Sequence, residues 1–189
     1  MQIPEREKPD MPSSETGDYQ DPFLVAPVSH IWLARLVEID STWNPRAWSE
    51  RLFERELSHP LARIRGLFIN SSLVGYLIAH VVLDEAHIVS LGIDPQWRGR
   101  GGGSALLEDF LRYARLDGVR VLTLDVRVSN IAARRLYEGR GFAVAGLRRN
   151  YYSDNGEDAL TMRRELLRGI ETDPAGESLS DNKAQTVYV

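Results

Sequence analysis

Four glycines fall within five residues in the stretch Arg98-Gly99-Arg100-Gly101-Gly102-Gly103-Ser104. The segment before it, His87 to Ile93, reads as a strand. The segment after it, Ser104 to Leu116, places Leu106, Leu107, Phe110, Leu111 and Ala114 at helical spacing. A strand that turns through glycines into a helix restricts the chain to an α/β arrangement. It also sets unpaired backbone N–H groups and the positive end of a helix dipole at the turn, which suits a phosphate. Glycine lets backbone and ligand approach closely, and Arg98 and Arg100 add positive charge. Two common phosphate patterns fail: G-x-G-x-x-G needs glycine where Ser104 stands, and a P-loop needs a lysine that is missing. The alternative is a plain tight turn.

Strand and helix patterns alternate around this turn. Phe23 to Val28 reads as a strand. Ser29 is predicted to cap a helix running to about Asp40, with Ile31, Ala34, Leu36 and Val37 as its apolar positions. Arg46 to Leu57 is predicted helical. Ile64 to Ile69 and Leu73 to Leu83 form a predicted hairpin turning at Asn70-Ser71-Ser72. Val119 to Val128 alternates as a strand, Asn130 to Glu138 is a short helix ended by Gly139, and Phe142 to Arg149 and Asp158 to Arg164 are closing strands. This order predicts a mixed sheet with helices on its faces in one domain, residues 23–167. Residues 1–22 carry Pro4, Pro9, Pro12 and Pro22 among many charges, and residues 168–189 are similarly polar; both tails are predicted disordered.

Composition narrows the chemistry. Cysteine is absent, which excludes disulfides, thiolate catalysis and cysteine-based zinc sites. His30, His59, His80 and His87 show no metal-ligand spacing, so no metal is expected. The net charge of −4 is uneven. Both tails are acidic, while the central region uses arginine and no lysine, as suits a small polyanionic ligand. Aromatics do not interleave with a basic stripe, so no nucleic-acid partner is expected. No apolar run reaches membrane-spanning length and no signal-peptide pattern opens the chain, so a cytoplasmic location and no membrane partner are expected.

Arg98-x-x-Gly101-x-Gly103, following Leu91-Gly92-Ile93-Asp94-Pro95, resembles the cofactor motif of the GNAT acetyltransferases. Asn130, Ala133, Leu136-Tyr137-Glu138 and Gly141-Phe142 resemble that family's second signature. Val81 to Ala86, Asp125-Val126-Arg127-x-Ser129-Asn130, Arg148 to Tyr152, Trp48-Ser49-Glu50 and Glu157-Asp158-Ala159 are similar to its RimI branch, bacterial N-acetyltransferases of the ribosomal-protein-alanine type. The resemblance runs from about Phe23 to Glu165. It implies a GNAT fold, a mostly antiparallel mixed sheet with a central splay flanked by helices. It implies acetyl-CoA as cosubstrate, held by Leu91, Gly92 and Ile93 along the pantetheine arm, by Gly99, Arg100, Gly101, Gly102, Gly103 and Ser104 at the pyrophosphate, and by Asn130. It implies Tyr137 as general acid. Asp125 falls where the branch carries a glutamate base, a departure at a critical position. The implied acceptor is a protein N-terminus, alanine on a small-subunit ribosomal protein. Acetylation of a small-molecule amine, or acyl-CoA binding with weak catalysis, are the alternatives.

The residues suit this chemistry. Acetyl transfer to an amine needs a neutral nucleophile, charge stabilisation and a proton for the departing thiolate. Tyr137 lies seven residues after Asn130, on nearly the same helix face; its other reading is a core ring on Phe142. Asp125 sits among apolar strand residues, where a carboxylate needs either a catalytic role or an ion pair, with Arg127 or Arg148 as partner. His87 is the alternative base, expected to lie too far from the splay. Trp43, Trp48, Tyr151 and Tyr152 match segments lining the peptide groove, with Trp48 and Tyr151 closing it. Glu50 or Glu157, if at the groove mouth, would favour arginine soon after the acceptor's alanine.

Overall fold

The computed structural model describes residues 23–166; both tails, with their predicted disorder, lie outside the described residues. Seven strands form one sheet: β1 (Leu24–Pro27), β2 (Ala62–Ile69), β3 (Ser72–Val82), β4 (Glu85–Ile93), β5 (Val121–Arg127), β6 (Ala143–Tyr152) and β7 (Glu157–Glu165). Their spatial order is β1-β2-β3-β4-β5-β7-β6. Only β4 and β5 pair in parallel; every other neighbour is antiparallel. The parallel pair is joined through the helix Gly102–Leu116, as a parallel crossover requires. The hairpin between β2 and β3 turns at Asn70 and Ser71, both with positive φ (47° and 64°), the arrangement that matches strand twist in a two-residue turn.

Helices cover both faces. On one, α3 (Gly102–Leu116) sets Leu106, Leu107, Phe110 and Ala114 against Leu67, Leu77, Leu122 and Leu124, and α4 (Ile131–Glu138) adds Tyr137 to the same cluster. On the other, α1 (Leu33–Ser41) and α2 (Glu50–Leu57) bury Leu36, Ile39 and Phe53 on Phe68, Tyr76 and Ile78. These clusters carry the apolar burial that stabilises the sheet. No helix among the described residues is long and apolar enough to cross a membrane.

Two helix starts differ from expectation. Ser29 makes no side-chain cap; a single 3₁₀ turn, His30–Trp32, precedes α1, and Ile31 is 83% exposed rather than core. The register of α1 instead buries Leu36 and Ile39. Helix α2 begins at Glu50, not Arg46, because Ser49 caps it by accepting from the Leu52 N–H. The preceding residues are held outside the helix by Asp40, a fully buried carboxylate on α1. It accepts from the Trp48 N–H (2.6 Å), from the Asn44 amide (3.1 Å) and from the Tyr76 hydroxyl (2.6 Å).

Candidate active site

The parallel ladder between β4 and β5 runs from Glu85↔Val121 to Ile88↔Leu124 and stops there. Its end coincides with a bulge: β3 pairing steps from Ala79↔Ile88 to Ile78↔Ser90, leaving Val89 as the extra residue. A bulge bends and twists its strand, so β4 swings away from β5. Beyond it, Ser90 to Ile93 stay paired to β3 on one side, while the edge facing β5 has no strand partner. The predicted splay is therefore present, with Leu91, Gly92 and Ile93 on its open arm.

The splay opens into a cleft of about 530 Å³ that reaches both sheet faces. Alternation along β5 assigns the two sides. Leu122, Leu124 and Val126 are buried toward α3 and α4, so Thr123, Asp125 and Arg127 lie on the opposite face. Tyr137 comes from α4, on the α3 side. Asp125 and Tyr137 thus line one cleft from opposite sides of the sheet, and only the missing ladder lets them share it.

Tyr137 is both a packed ring and a cleft residue. Its ring packs edge-on against Phe142 at 5.7 Å between centroids, and it lines the cleft. It is 7% exposed, and its hydroxyl has no hydrogen-bond partner among the described residues. Burial, and then the nearby Tyr152, push the phenol well above the ordinary tyrosine range, so it stays protonated at any physiological pH.

Asp125 is tightly held. Arg148 Nη1 pairs with one carboxylate oxygen at 2.6 Å, and Thr161 Oγ1 donates to the other at 2.6 Å. The ion-pair partner is Arg148 and not Arg127. Arg127 instead grips Asp154 through both oxygens (2.8 and 2.9 Å), pairs with Glu157 at 3.1 Å, and stacks on Tyr152 at 3.7 Å. His87 corrects an expectation. It lies beside the splay, not far from it, and lines the same cleft as Asp125. The parallel register places it opposite Thr123, whose hydroxyl is 3.0 Å from its Nδ1.

The glycines divide their work. Gly99 (φ 74°) and Gly101 (φ 87°) hold left-handed backbone, and nothing lies within 4 Å of where a Cβ would project. Gly101 is the N-cap of α3, so the amides of Gly102, Gly103 and Ser104 begin the helix without intrahelical acceptors. That arrangement suits a phosphate. Two of the glycines also meet the protein's own packing: a Cβ on Gly102 would meet Leu67 Cδ2 at 2.6 Å, and one on Gly103 would meet Leu136 Cδ2 at 3.3 Å. These two serve helix packing. Arg98 donates from Nε to the Ile93 carbonyl (3.0 Å), and Arg100 lies over the Trp97 ring at 4.8 Å. Asn130 caps α4 by accepting from the Ala133 N–H at 3.1 Å, and its residue also lines the cleft. As a cap it precedes the helix and does not share a helical face with Tyr137.

Aromatic residues wall the α1–α2 side and the β6–β7 side. Trp43, Trp48, Tyr151 and Tyr152 all line the cleft. Trp48 packs on Phe53 at 5.2 Å while also lining the cleft. Trp43 lies so close to β4 that a Cβ on Gly92 would sit 2.7 Å from its Nε1. Tyr151 stacks under the Arg148 guanidinium at 4.1 Å. Neither Glu50 nor Glu157 lines this cleft, and Glu157 is consumed by Arg127 and by the Ser129 N–H (2.8 Å), so neither selects an arginine there. Among the described residues no group of three or more histidines or carboxylates is placed to hold a metal ion. The sequence reading missed Thr161 and Asp40, whose roles depend on neighbours distant in the chain.

The sequence profile of the Acetyltransferase (GNAT) family matches residues 28–142. The [ribosomal protein bS18]-alanine N-acetyltransferase of Escherichia coli (strain K12) is 41% identical over 122 residues, 61% of this chain and 78% of that protein. The N-alpha-acetyltransferase RimI of Mycobacterium tuberculosis is 39% identical over 136 residues, 70% of this chain and 81% of that protein. The crystal structure of the ribosomal-protein-S18-alanine N-acetyltransferase from Escherichia coli superposes with a TM-score of 0.73 at 33% identity, covering 79% of this chain and 97% of that one.

Proposed function

The chain belongs to the GNAT acetyltransferase family, and on that premise we propose that it transfers the acetyl group of acetyl-CoA to a protein's N-terminal α-amine, that of alanine on a small-subunit ribosomal protein. The observation that carries this reading is the single cleft through the splay, with Tyr137 on one side and Asp125 on the other. The names of the relatives support the acceptor.

Acetyl-CoA supplies an activated thioester. The free edge of Leu91, Gly92 and Ile93 offers backbone groups to its pantetheine arm. The amides and dipole at Gly101–Ser104, with Gly99 and Arg100 beside them, suit its pyrophosphate. Asn130, which lines the same cleft, offers a further contact to the cofactor. The acceptor's chain end enters between Trp48 and Tyr151. As nitrogen bonds to the acetyl carbon and the carbon–sulfur bond breaks, the amine gives a proton to the Asp125 side and Tyr137 gives one to sulfur.

Two measurements test the proposal. A peptide starting with free alanine should gain one acetyl group and release one equivalent of thiol, and ribosomal-protein N-termini should lose acetylation in cells lacking the gene. Turnover on a small amine with none on any peptide would move the enzyme to the small-molecule class.

A cofactor prediction arises from the turn. Ser104 is the third residue of α3, where glutamate is locally favourable to a helix. Ser104→Glu should therefore fold normally. One added negative charge at about 4 Å from a phosphate costs about 1 to 4 kcal/mol depending on screening. Calorimetry should show CoA affinity down by roughly five- to several-hundred-fold. Unchanged affinity would remove the pyrophosphate from this turn.

A further inference from the structure

Asp125 has a problem as a base. Both its oxygens are engaged at 2.6 Å, one by a cation and one by a hydroxyl. A carboxylate with each oxygen already committed to a neighbour has no free oxygen directed at an incoming amine. His87 has the opposite character. It is half-buried on the same sheet face and lines the same cleft, and only its Nδ1 has a recorded partner, Thr123 Oγ1 at 3.0 Å. With Nδ1 fixed by that hydroxyl, Nε2 has no partner among the described residues. When the Nδ1–H donates to Thr123, Nε2 carries a lone pair.

Resting on the proposed acetyltransferase reading, we propose that His87 is the catalytic base, accepting the acceptor amine's proton at Nε2, and that Asp125 is a positioning residue that stabilises the imidazolium so formed. Nitrogen forms its bond to the acetyl carbon, the carbon–sulfur bond breaks, one amine proton passes to His87, and the Tyr137 proton passes to sulfur. Proton exchange through water then returns imidazolium and phenolate to their starting forms.

The surroundings fit this division. Three charged or titratable groups face His87: Asp125 from β5, His80 from β3 and Arg148 from β6. Burial is the largest influence and lowers the imidazole pKa; His80 and Arg148 lower it further. Asp125 alone raises it. The imidazole is therefore neutral at pH 7 and ready to accept a proton, and the Asp125 carboxylate favours its charged form.

The experiment compares His87→Gln, Asp125→Asn and Asp125→Glu with wild type, following thiol release across pH at saturating alanine peptide. His87→Gln should lower kcat by about 100- to 10,000-fold and remove the imidazole's part of the acidic limb, leaving the part set by the amine's own protonation. Glutamine can still bond Thr123, so CoA affinity and melting temperature should hold. Asp125→Asn should lower kcat and move the imidazole's part of the limb to lower pH, because a group that raises the imidazole pKa is lost; Asp125→Glu should restore both. Proton NMR of the histidine rings, with His87 identified by its loss in His87→Gln, should show the same downward shift without any turnover. Normal kcat and profile in His87→Gln, beside an inactive Asp125→Asn, would make the carboxylate the base and overturn the proposal. An unmoved His87 titration in Asp125→Asn would overturn the positioning half. Wild-type enzyme inactive on every alanine peptide would instead reject the acceptor reading, and the NMR titration would still judge the His87–Asp125 pair.

Discussion

Replacing Tyr137 with phenylalanine is expected to lower kcat by about 100- to 10,000-fold, the range typical of losing a general acid. The rest of the protein should barely notice. The ring that packs on Phe142 is kept, and the lost hydroxyl has no hydrogen-bond partner among the described residues, so no buried group is orphaned. CoA affinity and melting temperature should therefore match wild type. The raised phenol pKa looks unfavourable for an acid, yet its cause resolves the conflict. Desolvation that holds the phenol proton also destabilises a thiolate leaving into the same buried space, raising the thiol's affinity for a proton. The two rise together, so transfer stays feasible, and the phenol is never lost to ionisation at neutral pH. Steady-state kinetics decides. A near-normal kcat would reduce Tyr137 to a core ring.

The second large effect is in the acceptor. Two peptides of one sequence should be compared, one with a free alanine amine and one with a blocked N-terminus and an internal lysine. The free α-amine is expected to react at least about a hundredfold faster. At pH 7.5 roughly a quarter of an α-amine is neutral, against about a thousandth of a lysine side chain. A base held by its neighbours cannot make up that ratio, whether the proton goes to Asp125 or to His87. Shape adds to it. Trp43 is pressed onto Gly92, Trp48 onto Phe53, and Tyr151 is stacked beneath Arg148, so the aromatic walls are themselves supported. Walls of that kind admit a chain end with a small first residue better than a mid-chain segment. Raising pH from 7 to 8 should speed the alanine peptide as its neutral fraction grows, while the lysine peptide stays slow. Equal rates on the two peptides would overturn the Nα reading and leave fold and family untouched.

Much of this enzyme was legible in the chain alone, because the relevant choices are local. Positive φ at Asn70 and Ser71, the glycine start of α3, the Asn130 cap and the alternation of β5 each depend on a few neighbouring residues. The motif from Arg98 to Gly103 and the run from Asn130 to Phe142 were enough to point to the family. Tertiary structure decided what local patterns leave free. Arg127 and Arg148 were equal candidates for Asp125 until cross-strand register set Asp125 opposite Thr161 and Arg148 opposite Ala159. The start of α2 was settled by Asp40, a carboxylate on another helix that captures the Trp48 N–H. His87 reached the cleft because the β4–β5 crossover aligned it with Thr123. Asp125 and Tyr137 lie on opposite sides of the sheet and share a cavity only because the ladder ends at Ile88. Register and ladder length are properties of paired segments far apart in the chain, and a one-residue slip of β5 would turn Asp125 and Arg127 to the other face.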